Sequence, residues 1–188
     1  MRKITFILVA LLMATAVSAQ NINRGYRGFL EWDNNLSNYE YGFFGEKETI
    51  WSTGLSTSHG YQFNPNIFVG AGLMIERSTK HEQWTVPVFA QFRTDQTFGE
   101  FTPFGDVRLG YNMTDGGGIY FSPTVGYRFN LGRKMNLNWG VGLTLRGYSL
   151  DRYEVKMDDI TSSSMDLIYL GKSHHTNTMF TMRLGIDF

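Results

Sequence analysis

From Phe180 to Phe188 every second residue is apolar: Phe180, Met182, Leu184, Ile186 and Phe188. Thr181, Arg183, Gly185 and Asp187 stand between them. A period of two gives a strand with two unlike faces, one greasy and one carrying charge. A fully apolar strand ending on an aromatic is a liability at an open sheet edge, because an unpaired edge recruits other chains. In a closed barrel that spans a membrane the same strand pairs on both sides, and its aromatic end sits at the bilayer boundary.

The rest of the chain repeats the pattern. Gly25 to Asp33 places Tyr26, Leu30 and Trp32 opposite Arg27, Phe29, Glu31 and Asp33. Thr49 to Phe63 is the least regular stretch, with Trp51, Leu55, Tyr61 and Phe63 sharing a face with Thr53, Thr57 and His59. Asn64-Pro65-Asn66 is a turn by its chemistry. Ile67 to Arg77 puts Ile67, Val69, Ala71, Leu73 and Ile75 opposite Phe68, Gly70, Gly72, Met74 and Glu76. Glu82 to Arg93 alternates from Trp84 to Phe92, and Pro87 removes one ladder hydrogen bond, for which a bulge is expected. Thr94 to Glu100 is taken as a turn.

Phe101 to Asn112 sets Val107, Leu109 and Tyr111 against Phe104, Asp106, Arg108 and Gly110. Ile119 to Asn130 and Met135 to Tyr148 follow in the same style, with Arg128 and Arg146 on their polar faces. The total is eight strands, a common size for a small transmembrane barrel. Long connections, 34–48 and 149–175, follow strands 1 and 7, and short ones follow strands 2 and 6. With the N-terminus on the periplasmic side, the long loops lie outside. The expected fold is all-β, an eight-stranded antiparallel up-and-down transmembrane β-barrel.

Charge orients the wall. In strands 3 to 8 the apolar face carries only Arg77 and Glu82, which flank one loop. The other face carries Glu76, Arg93, Asp106, Arg108, Arg128, Arg146, Arg183 and Asp187, and strand 1 adds Arg27 and Glu31. An arginine facing lipid at the midplane costs about 2–4 kcal/mol. Six such arginines would exceed the whole stability of a domain, about 5–15 kcal/mol. The charged face must therefore look inwards, as an ion network in a bore just wide enough for side chains to fill. A soluble barrel would be patterned the other way. A narrow ion pathway is the alternative use of the same residues. Trp51, Trp84 and Tyr111 near one end, and Tyr61, Phe63, Phe92, Phe129 and Phe188 near the other, suit the aromatic girdles of such barrels.

The N-terminus supports export. Arg2 and Lys3 precede an apolar run from Ile4 to Val17, and Val17-Ser18-Ala19 supplies small residues before Gln20. This is the pattern of a cleaved signal peptide over residues 1–19, with the barrel over 20–188. The chain has no cysteine, which excludes disulfides, thiolate metal sites and a cysteine nucleophile. Its formal charge is zero, with no basic excess for nucleic acid.

With leader, strand count and terminal Phe188 in view, the chain resembles the small outer-membrane β-barrel family, the OmpA/OmpX-like transmembrane barrels. Phe180, Met182, Leu184, Ile186 and Phe188 resemble the C-terminal assembly signal of that class. The run from Gly54 to Gly72, Gly-Leu-Ser-Thr-Ser-His-Gly-Tyr-Gln-Phe-Asn-Pro-Asn-Ile-Phe-Val-Gly-Ala-Gly, resembles the second hairpin of barrels of this type from Bacteroides-like bacteria. The resemblance implies an outer-membrane location among lipid and lipopolysaccharide, insertion by the barrel assembly machinery, and no settled biochemical role; no cofactor is expected. On this resemblance the barrel is expected without the peptidoglycan-binding domain of full-length OmpA-type proteins.

Some small barrels modify lipid A, as acyltransferases or deacylases. The candidates for such chemistry are Ser173, His174, His175, Asp151 and His81. Adjacent residues on a strand point to opposite faces, so Ser-His-His is not by itself a nucleophile with its base. Nor do His174-His175 and Asp158-Asp159 have chelate spacing. No catalytic or metal role is expected. The loops 34–48 and 149–175 hold Tyr39, Tyr41, Phe43, Phe44, Tyr153 and Tyr169, which suit adhesion or contact with an extracellular partner.

Overall fold

In the computed structural model, backbone is described for residues 24–41, 46–79, 84–96, 102–114, 117–131, 135–157 and 165–188. Side chains are described for the same residues except 38–41, 46–48, 150–157, 165–169 and 174. The leader expected over residues 1–19 lies outside them.

The alternating stretches form eight strands: β1 (Gly25–Tyr41), β2 (Glu46–Asn64), β3 (Ile67–Ser78), β4 (two segments, Trp84–Thr85 and Pro87–Asp95), β5 (Thr102–Asn112), β6 (Gly118–Asn130), β7 (Asn136–Met157) and β8 (Met165–Asp187). Each pairs antiparallel with its neighbours, β8 pairs back onto β1, and the sheet closes. Closure continues past the end of β8, where Gly28 and Phe188 exchange backbone hydrogen bonds of 2.9 and 3.0 Å.

The register has a fixed stagger. From Gly25 the path runs through Gln62, Phe68, Arg93, Asp106, Thr124, Gly142 and Thr181, and returns to β1 at Asn35. Strands therefore tilt, and lumen-facing residues from different heights in the chain meet at one level.

Three expectations are corrected. The segments 34–48 and 149–175 are largely strand rather than loop. β1 runs on to Tyr41 against Glu46 of β2, and β7 runs on to Met157 against Met165 of β8. The far end of β7 keeps the period of two in its sequence, with Tyr153, Val155 and Met157 between Arg152, Glu154 and Lys156, so the strand pattern reaches into the stretch read as a loop. Pro87 creates no bulge. The ladder only skips there, with Glu76↔Thr85 and Leu73↔Val88 in one register. Irregularities occur instead between Gln62 and Asn64 and between Arg152 and Tyr153. Finally, Thr94 and Asp95 continue β4 rather than start a turn.

Leu55, Val88, Leu109, Val125, Leu143 and Leu184 are all exposed. Arg93, Arg108, Tyr120 and Phe68 are fully buried. This is the inverse of a soluble barrel, where apolar residues fill the axis. The inverted arrangement is stable only if the outer surface meets hydrocarbon. The girdle aromatics Trp51, Trp84, Tyr111, Tyr61 and Phe63 all face outwards, with Trp32 and Trp139.

The irregular face of β2 has a local explanation. Its polar lipid-side groups are each met from β1 or from one another. Thr53 accepts from Trp32 Nε1 (2.6 Å), Thr57 donates to the Phe29 carbonyl (3.2 Å), and His59 lies 2.6 Å from the Tyr26 hydroxyl and 3.0 Å from Thr57 Oγ1. A satisfied polar group is tolerable where a bare one is not.

Candidate functional site: the ionic interior

All ten charged residues singled out for the interior point into the bore, and the structure brings them together in three groups. Two further carboxylates join them, Asp33 and Asp95, each 1% exposed. Among the described residues the lumen thus holds six arginines, Arg27, Arg93, Arg108, Arg128, Arg146 and Arg183. Against them stand six carboxylates, Glu31, Asp33, Glu76, Asp95, Asp106 and Asp187. The balance matters because an unpaired buried charge is destabilising by several kcal/mol.

The group at the N- and C-terminal end is organised by Asp95. It accepts from Arg27, from Arg93 Nε (2.9 Å) and from Arg128 Nη1 (3.0 Å). Asp187 accepts from Arg27 Nε (2.9 Å), Asn138 (2.7 Å) and Asn136 (3.1 Å). Arg93 also donates to Asn138 (2.6 Å), and its guanidinium lies between two rings, 3.5 Å from the Phe104 centroid and 4.9 Å from that of Phe29. Stacking of this kind solvates a buried cation where water is excluded.

The middle group joins Arg108 and Arg183 to Glu31, Asp33 and Asp106. Arg183 donates to Asp33 (2.7 Å) and to Asp106 (2.9 Å), and Arg108 pairs with Glu31. From here a line of small polar groups rises along the bore. Arg183 donates to Ser122, Ser122 meets Thr144 (2.7 Å), Thr144 meets Thr181 (2.6 Å), and Thr181 donates to Asn35 (2.7 Å). Asn35 then donates to Glu76 (2.6 Å), which also accepts from Arg146 Nη2 (2.8 Å).

These pairs cross the bore. In a ring of eight, β1 and β5 are opposite one another, as are β3 and β7. Glu31 with Arg108 and Glu76 with Arg146 therefore span the diameter at two levels. Aromatic residues fill the space between. Phe68 lies where a Cβ on Gly60 or Gly70 would stand, within 2.8 and 2.6 Å of its Cζ. Glycine on its own strand and on the neighbouring strand makes room for an inward ring.

Asp33 is on the lumen face in any strand reading of β1, and only its pairing with Arg183 had to come from three dimensions. Asp95 was obscured by the polar run Thr94-Asp-Gln-Thr, which reads as a turn. Its parity with Arg93 is the signal that could have placed it.

Of the residues weighed for chemistry, Ser173 and His175 lie two apart on one face, with Oγ 3.0 Å from Nε2. His175 also stacks on Tyr148, ring centroids 5.5 Å apart. His81, the side chain of His174, and those of Asp151, Asp158 and Asp159 lie outside what is described, as do Tyr39, Tyr41, Phe43, Phe44, Tyr153 and Tyr169. Among the described residues no group of three or more His, Asp or Glu side chains could hold a metal ion.

No protein-family model and no curated protein matches the chain. Among solved structures it is similar to the outer membrane protein OprG from Pseudomonas aeruginosa, with a TM-score of 0.49 and 10% identity, over 88% of this chain and 95% of that one.

Proposed function

We propose that the protein is an exported integral outer-membrane β-barrel, its leader removed before insertion. On this reading its interior is a side-chain plug rather than a conduit, and it acts on its surroundings through the hairpins on the extracellular side. The plug has a mechanical role. Oppositely charged side chains tie strands across the diameter, with inward rings packed between them, so the wall is held from within. The observation that carries this reading is the pairing of Glu31 with Arg108 and of Glu76 with Arg146 from opposite walls.

The hairpins of β1–β2 and β7–β8 are the parts that leave the bilayer. β7 and β8 stay paired from Tyr148↔His175 to Met157↔Met165, whereas β6 begins only at Gly118. A two-stranded arm of that length suits adhesion or contact with a partner outside the cell.

Two measurements test the proposal. The protein in the outer-membrane fraction shifts its gel migration on boiling, as folded barrels do. Purified protein in planar bilayers shows no steady nanosiemens openings. A protein recovered only in soluble fractions contradicts the location, and stable large openings contradict the plug.

A further inference from the structure

A cleft of about 470 Å³ opens on the outer surface where β7 rises past the start of β6. Its walls are Tyr111, Ile119, Phe121 and Leu145. Its back is backbone, at Gly117, Gly118 and Gly147. The glycines let the backbone and the Tyr111 ring close up behind the cleft. A Cβ on Gly118 would stand 2.1 Å from the Gly147 carbonyl oxygen, and one on Gly117, at φ +67°, would stand 2.5 Å from the Tyr111 hydroxyl. At the top the lining turns polar, with Tyr148, Ser149, His175 and Thr176.

We infer that this cleft seats one acyl chain of an outer-leaflet lipid, with that lipid's polar part against the Ser149–Thr176 mouth. The inference rests on the membrane-barrel reading above and goes beyond it. Three features select a lipid. The apolar walls are the upper ends of the outward rows that run down β6 through Val125 and down β7 through Leu143, both exposed. A ligand can therefore enter sideways from hydrocarbon without crossing water. The change from apolar wall to polar mouth falls at the level of the exposed girdle residue Tyr111, which is where a lipid changes from chain to headgroup. The volume lies within the ordinary range for a small-molecule site, about 300–1,000 Å³. A flat barrel wall contacts annular lipid with no preference, whereas a recess with apolar walls holds one chain.

Ile119 is 66% exposed and Val125 is 64% exposed on the same face of β6, but only Ile119 lines the cleft. This gives a matched pair of variants. Wild type, Ile119→Trp and Val125→Trp are folded into phospholipid vesicles containing lipid A, then transferred to mild detergent and weighed by native mass spectrometry. Thr176→Trp fills the mouth from β8 and serves as the second cleft variant. Wild type and Val125→Trp should retain one lipid A per barrel, and the two cleft variants should lose at least ten-fold of that population. Equal retention in all four, or no lipid on wild type, overturns the inference. Folding is read separately from the boiling-dependent gel shift. If wild type shows no shift, the membrane-barrel reading has failed as well, and the two failures are told apart.

Discussion

Arg146 on β7 and Glu76 on β3 meet across the full width of the barrel, Nη2 to Oε2 at 2.8 Å. The carboxylate is 1% exposed and is also held by Asn35 at 2.6 Å. The two residues are 70 positions apart in the chain. The pair has to form after the sheet has closed, so it reports the finished barrel.

Removing only one partner should be worse than removing both. Arg146→Met leaves Glu76 buried with a neutral neighbour, and a loss of about 3–5 kcal/mol is expected for a broken buried pair. Glu76→Gln with Arg146→Met should recover more than half of that loss. Urea titration in lipid vesicles measures Arg146→Met, Glu76→Gln and the double variant. Strictly additive losses would show that the contact contributes no coupling.

Asp95 should be the most sensitive carboxylate of the bore. Its substitution by Asn leaves Arg27, Arg93 and Arg128 sharing one end of the lumen with Asp187 as the remaining side-chain carboxylate of that group among the described residues. A loss of about 3–5 kcal/mol is expected, seen as a lower urea midpoint and a lower temperature for the boiling-dependent gel shift. An Asp95→Asn barrel as stable as wild type would remove Asp95 from its organising position.

The outer surface gives the complementary test. Val141 lies midway along the part of β7 that forms the wall, paired with Val125 and Met182. Val141→Arg should cost about 2–4 kcal/mol in a bilayer. The same substitution should be nearly neutral if that face meets water. Urea midpoints in vesicles decide between them.

Phe188 separates assembly from stability. Its ring covers Gly28, with Cε2 2.7 Å from where a Cβ would stand, and its backbone pairs with Gly28. Phe188→Ala keeps the backbone pairing, so refolding into vesicles should be nearly unchanged. If the terminal aromatic is the element that the assembly machinery reads, the amount of barrel in the outer membrane of growing cells should fall several-fold. An equal fall in both assays would mean the ring acts through stability alone.

The wall was readable in the sequence because a bilayer imposes a strict alternation. Val107, Leu109 and Tyr111 against Asp106, Arg108 and Gly110 admit one orientation only. The alternation itself runs on, with Tyr39 and Tyr41 beside Asn38 and Glu40, and with Tyr153, Val155 and Met157 between Arg152, Glu154 and Lys156. Those runs are short and lie in polar stretches, so they read as loops. Partner choice inside the bore was equally hidden. The register brings Arg183 to Asp33 and Asp106 through the tilt of the strands, and no spacing along the chain encodes that tilt. Asp95 fell between the two cases: it follows the parity of Arg93, but its polar neighbours look like a turn.

The central claim concerns which way the two rows of each strand face, and one measurement reads it directly. The chain has no cysteine, so a single Cys can be placed in turn at each position from Phe121 to Tyr127 of β6 and spin-labelled in lipid vesicles. Oxygen collision rates should peak at 121, 123, 125 and 127, the residues that face hydrocarbon. At 122, 124 and 126 both oxygen and a water-soluble nickel chelate should find little access. Oxygen maxima at the even positions, with the odd ones shielded, would contradict the account.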